Sequence, residues 1–158
     1  MEKPAPPRLR YQDQDCPLTL GEGLAEYYAA NVGRVRPPGE LPAGSAALFH
    51  SHDQCHVIFG LDTSLADEVL ADTRTLLSCD VGWPRYIAYL NSDPQAKALF
   101  VELGLWRAAA ASLAAIPRIA RAVTEAARMR RKWPWTPPAD WDDRPLSDLR
   151  REFAIRVI

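Results

Sequence analysis

Leu48-Phe49-His50-Ser51-His52-Asp53-Gln54-Cys55-His56 holds every histidine of the chain. Gathering all the imidazoles in one stretch points to a metal or proton-transfer site. The spacing makes physical sense on a helix. At about 100° per residue, His56 lies ~40° from His52 and Asp53 ~100° from it, on one broad face. His50 points away from that face. Ala46, Ala47, Leu48 and Phe49 precede the motif and Val57, Ile58 and Phe59 follow it, while Gly60 suits the left-handed residue that ends a helix. Leu61 and Asp62 make a short turn. Thr63 or Ser64 can then cap a second helix, Ser64 having Asp67 three residues on.

That second helix carries Leu65, Val69, Leu70, Thr73, Leu76 and Leu77 on its apolar side. His56 lies one turn before Gly60 and Glu68 one turn after Ser64, so the two are level in an antiparallel αα-hairpin. A hairpin over residues 46–79 therefore brings His52, Asp53, His56 and Glu68 toward one point, a four-ligand metal site. A His pair at i, i+4 alone also fits a solvated surface pair; the level Glu68 and the adjoining Asp53 favour metal. Two imidazoles with carboxylates suit zinc first, and also Mn, Fe or Co. The zinc-protease pattern differs, since there a glutamate follows the first histidine and acts as base. If Asp53 or Glu68 orients an imidazole or acts as base instead of binding metal, it is the catalytic group and an open coordination position remains. The residues alone leave that choice open.

Working outward, the chain is helical in pattern, with no alternating strand run and no internal repeat. The expected fold is all-α: a Pro-rich arm over residues 1–17 and a single compact helical domain over 18–158. Thr19-x-x-Glu22 is a capping box opening a helix through Leu24, Tyr27, Tyr28 and Val32, stopped by Gly33. Gly82 and Pro84 break the chain, and short helices are expected over 84–91 and 93–103. Residues 105–132 read as one long helix, or as a pair divided at Pro117. Its apolar side is expected at Leu113, Ile116, Ile119, Ala120, Val123 and Ala127. Arg118, Arg121, Arg128 and Lys132 repeat along the other side, either as a solvated face or as attachment to an anionic membrane surface with Trp133, Trp135 and Trp141 at the interface.

His52-Asp53-Gln54-Cys55-His56, eleven residues, then Glu68 resembles the HDxxH-x11-E signature of the Coq4 family of coenzyme Q biosynthesis proteins. Val57-Ile58-Phe59-Gly60-Leu61 with Thr63-Ser64-Leu65 is similar to the stretch that follows the signature there. Trp141 and Pro145 to Phe153 resemble that family's tail helix. The segment Asn91 to Gly104 matches nothing in it. The resemblance implies a ubiquinone-biosynthesis enzyme that removes a ring carboxylate from a prenylated hydroxybenzoate-type acid and puts a hydroxyl in its place. A shorter relative of bacterial type could act instead on a small aromatic or polyketide acid. A non-catalytic scaffold or lipid-binding subunit with a structural metal is the alternative of another class.

At 158 residues the chain can bury a real core, and a net charge of −1 supplies no field for nucleic acid. Cys16, Cys55 and Cys79, odd in number and irregularly spaced, suggest reduced thiols and a cytoplasmic location, with peripheral contact at the inner membrane face left open. Cys55 is expected to pack rather than to ligate. No apolar run reaches the ~20 residues of a membrane span, and the first seven residues are unlike a signal peptide. A homo-oligomer is left open.

Overall fold

The computed structural model of the protein describes residues 8–92 and 104–158, without the side chains of residues 43–44, 89–92 and 104–115. The helix expected over 93–103 lies outside the described residues, as do the side chain of Leu113 and residues 1–7. The fold is all-α, as expected; among the described residues there is no strand, only isolated bridge pairs such as Thr19 with Pro145.

Helix α1 (Leu20–Ala30) opens as its capping box dictates. Thr19 Oγ1 accepts from the Glu22 amide at 3.2 Å, and the Glu22 carboxylate accepts from the Thr19 amide at 2.9 Å. The helix ends at Asn31, so Val32 falls outside it and is 82 % exposed instead of joining the apolar side. Helices α2 (Ala43–Phe59) and α3 (Leu65–Ser78) form the expected hairpin. Gly60 joins them with φ 72°, and a Cβ there would stand 2.6 Å from Val157 Cγ1. Any side chain at this position meets both a left-handed backbone and a steric wall. Ser64 Oγ accepts from the Asp67 amide at 3.3 Å and starts α3.

The buried face of α3 is only partly the one its leucines predict. Asp67, Leu70, Ala71, Arg74, Thr75 and Ser78 face inward, and Leu77 is exposed. Helix α4 (Trp83–Ser92) follows, and then α5 (Gly104–Arg128), which passes through Pro117 as one helix. Asp67 Oδ1 pairs with Arg118 Nη1 at 2.6 Å, and seven residues further along both helices Arg74 feels the charge of Glu125. The two helices therefore run in the same direction along a polar seam. That seam rotates α5 away from the expected orientation: Ala122 and Glu125 are buried, whereas Ile116 is 53 % and Val123 49 % exposed. Trp133 and Trp135, read as possible interfacial residues, are buried in the core, and Trp141 is half-buried. Trp133 and Trp141 pack on Phe153 of α6 (Leu146–Phe153), at 5.2 and 5.6 Å between ring centroids.

Residues 8–17 pack into the same core, with Tyr11 and Cys16 buried. Arg150 of α6 explains how. Its guanidinium, with no exposed surface, donates to the carbonyls of Tyr11 (2.6 Å), Asp13 (2.6 Å), Val57 (2.8 Å) and Ile58 (2.9 Å). Two of these carbonyls belong to the last turn of α2, where the Gly60 amide reaches Val57 O but not Ile58 O and the helix dipole favours a cation. Arg150→Met is expected to strand the Tyr11 and Ile58 carbonyls, while those of Val57 and Asp13 keep the amides of Gly60 and Cys16, and to destabilise the fold by about 2 kcal/mol or more, at about 1–3 kcal/mol per unsatisfied group. Thermal and urea denaturation of the variant check this; a change under about 1 kcal/mol would show the clamp to be dispensable.

Candidate metal centre

The last two turns of α2 put His52 and His56 toward α3, and the first turn of α3 puts Glu68 toward α2. His52 Nε2 and His56 Nε2 are 3.1 Å apart, and Glu68 Oε2 lies 3.6 Å from the first and 3.5 Å from the second. Ligands about 2.0–2.1 Å from a tetrahedral ion stand about 3.4 Å from one another. The three donors thus fit one face of a coordination tetrahedron, and His52, His56 and Glu68 form a group that could hold a metal ion. The histidines are buried, whereas the Glu68 side chain keeps 34 % of its surface exposed. The group is reachable from the glutamate side. Tyr27 of α1 stacks on the His56 ring, centroids 5.4 Å apart and planes 26° from parallel.

Asp53, read from the sequence as a fourth ligand, stands outside this group. Its Oδ2 accepts the Tyr28 hydroxyl of α1 at 3.0 Å. The step of about 100° from His52 explains the difference: it turns the carboxylate toward α1 while the imidazoles face α3. His50 is outside the group as expected. Cys55 is buried, its Sγ 3.6 Å from that of Cys79, and packs instead of ligating.

Sequence reasoning missed Asp72 and the tyrosines. Asp72 sits one turn beyond Glu68, accepts a hydrogen bond from Tyr86 of α4 and lies within electrostatic reach of His52, Glu68 and His56. The Glu68-x-x-x-Asp72 spacing, which puts both acids on one helix face, was the available signal. Nothing in the local sequence marks Tyr28 or Tyr86, because they arrive from other helices. The centre is therefore three donors accompanied by two carboxylate–tyrosine pairs, Asp53 with Tyr28 of α1 and Asp72 with Tyr86 of α4.

Burial works to strip His56 of its proton, but the charge and hydrogen bond of Glu68, aided by Asp53, outweigh it and hold the imidazole at about 9. For Glu68, burial opposes ionisation, and the charge of His56 with hydrogen bonds from both histidines holds the carboxyl well below the usual range. Burial pushes Asp53 up to about 6 against the pull of His52, His56 and the Tyr28 hydroxyl. Burial, then the neighbouring carboxylates, push the Tyr28 and Tyr86 phenols up, so both remain donors. Without metal, a proton on His56 holds the cluster together.

Comparison with known proteins gives no match to any family model, curated protein or solved structure. The geometry of the site supports metal binding by His52, His56 and Glu68.

Replacing His52 or His56 by Ala should abolish stoichiometric metal binding, while His50→Gln should keep it; elemental analysis of the purified variants checks this. Equal loss in His50→Gln would mean that the wrong face of α2 has been assigned. A second expectation concerns pH. His56 titrates at about 9 in the metal-free fold against an ordinary 6.5, so its stabilising contribution is complete below 6.5 and is lost as pH rises through about 9. Metal must displace that proton, so zinc affinity should rise by about tenfold per pH unit over the same window. Competition titrations with a chromogenic chelator, together with melting of metal-free protein, measure both trends. An affinity flat with pH would refute the proton-held cluster.

Proposed function

We propose that the protein is a Coq4-like metal-dependent enzyme that removes the carboxyl group of a hydroxybenzoate-type aromatic acid, prenylated or not, as CO2 and leaves a hydroxyl in its place, water supplying the hydroxyl oxygen and dioxygen taking up the two electrons to leave as hydrogen peroxide. The observation that carries the metal-dependent part is the triangle of His52, His56 and Glu68 donors at 3.1–3.6 Å with Glu68 partly open to solvent. Substrate class and reaction rest on the HDxxH-x11-E resemblance. Two imidazoles and one carboxylate with room for further ligands is the donor set of catalytic zinc sites and of non-haem iron oxygenases alike. A metal bound there supplies Lewis acidity to a phenolic or carboxylate oxygen of the substrate.

The chain's own residues do the rest. Tyr27 fixes the plane of the His56 ring and keeps water from that side. Tyr28 holds Asp53 in one orientation beside the histidines, where it can accept the phenolic proton. Tyr86 does the same for Asp72 on the opposite side. A purely structural clip between α2 and α3 would want a closed shell, and the exposure of Glu68 favours the catalytic reading over it.

The experiment is an assay of metal-loaded protein with prenylated and unprenylated hydroxybenzoates, following CO2 release under air and under argon. Turnover should require oxygen. Glu68→Gln and Asp53→Asn should each lower it by about 100-fold or more, with helical content unchanged. Wild-type turnover in both variants would show the two carboxylates to be misassigned, whereas no turnover by the wild type, with quinone production restored by both variants in cells lacking the native protein, would favour the scaffold.

A further inference from the structure

Arg121, Glu125 and Arg128 on α5, with Ala154 and Arg156 just beyond α6, line a cavity of about 530 Å³ to which the metal-centre residues do not contribute. The basic stripe read from the sequence thus divides in two. Arg118 is engaged by Asp67, whereas Arg121 and Arg128 turn into this cavity and meet Arg156 from a distant part of the chain. Arg128 Nη1 donates to Glu125 Oε1 at 2.9 Å. Among the described residues, neither Arg121 nor Arg156 has a carboxylate partner.

Behind the wall sits Arg74, with no exposed surface. Its Nη2 donates to the Arg156 carbonyl at 2.7 Å, and its Nε and Nη1 have no hydrogen-bond partner among the described residues. It feels Glu125 and Arg121, both of which line the cavity. Four guanidinium groups, one of them fully buried, share the single carboxylate of Glu125, which leaves the group with three positive charges in excess. A buried cation without a paired anion is costly, and clefts lined by one sign of charge concentrate counter-ions. Guanidinium forks match the oxygens of phosphate and carboxylate. Three excess charges favour the phosphate dianion over a single carboxylate, and the volume leaves room for a polar organic portion beside it.

We propose that this cavity binds a phosphate group, carried either by a small soluble ester or by a phospholipid headgroup, with Arg121 and Arg156 as direct contacts, Arg128 at the rim and Arg74 supplying field from behind.

Two arms test this and separate the sources. Calorimetric titration of the full chain with glycerol 3-phosphate reads soluble binding. Sedimentation with phosphatidylcholine vesicles, with and without phosphatidic acid, reads the headgroup. Arg121→Gln and Arg156→Gln are compared with Arg34→Gln, which makes the same charge change on the exposed loop after α1, and melting curves verify that all three are folded. At least one arm should show saturable binding that each cavity variant weakens by about tenfold or more while Arg34→Gln does not. Binding of the ester alone assigns a soluble ligand, and binding of the anionic vesicles alone assigns a lipid headgroup. Absence of saturable binding in both arms, or an equal loss in Arg34→Gln, would overturn the proposal.

Discussion

Ser51 to Leu61 are buried in an unbroken run, so the second half of α2 has no solvent face. This stretch contains Ser51, His52, Asp53, Gln54 and His56, whose polar groups can find partners only inside the protein, and His56 Nδ1 finds none among the described residues. An unsatisfied buried polar group costs about 1–3 kcal/mol, a large fraction of the 5–15 kcal/mol by which a typical domain is stable. The surrounding elements are arranged by that requirement. Helix α1 offers Tyr28 to Asp53, α3 offers Glu68 to the imidazoles, and α6 offers Arg150 to the carbonyls that end α2. Close approach follows: a Cβ at Gly23 of α1 would stand 2.8 Å from Val57 Cγ1 of α2.

The same logic orders the outer layer. Asp67 and Arg74 point inward from α3, and α5 answers with Arg118 and Glu125. Polar complementarity overrides apolar patterning here, because a buried charge left unpaired costs more than an exposed Ile116 or Val123. Where the seam reaches Glu125, arginines outnumber acids and form the basic cavity. Metal centre and cavity are thus built from opposite solutions to one problem: histidines neutralised by carboxylates in the first, guanidinium groups left in excess in the second.

Much of the centre was legible in the chain. The i, i+4 histidines, the Gly60 stop and the Ser64 cap together fix the hairpin length, and a hairpin of known length puts Glu68 level with His56. These are short-range consequences of helical periodicity. Asp53 shows where that reasoning ends: a face as wide as about 100° can contain two directions, and only the position of α1 decides which the carboxylate takes. Asp72 carried a readable signal in its spacing from Glu68, yet its partner Tyr86 belongs to another helix.

What the sequence by itself determined is therefore local: helices where apolar residues recur at helical spacing, starts at Thr19 and Ser64, an end at Gly60, and three donors on facing turns. What only the tertiary structure decided is which side of each helix lies inward. Periodicity ranks helix faces by hydrophobicity, and burial on α3 and α5 was set instead by charge pairs between residues some fifty positions apart. Trp133 and Trp141 teach the same lesson, since their packing on Phe153 depends on where α6 returns to the core. Long-range pairing has no signature in a local window, because its free energy appears only once the chain has closed on itself.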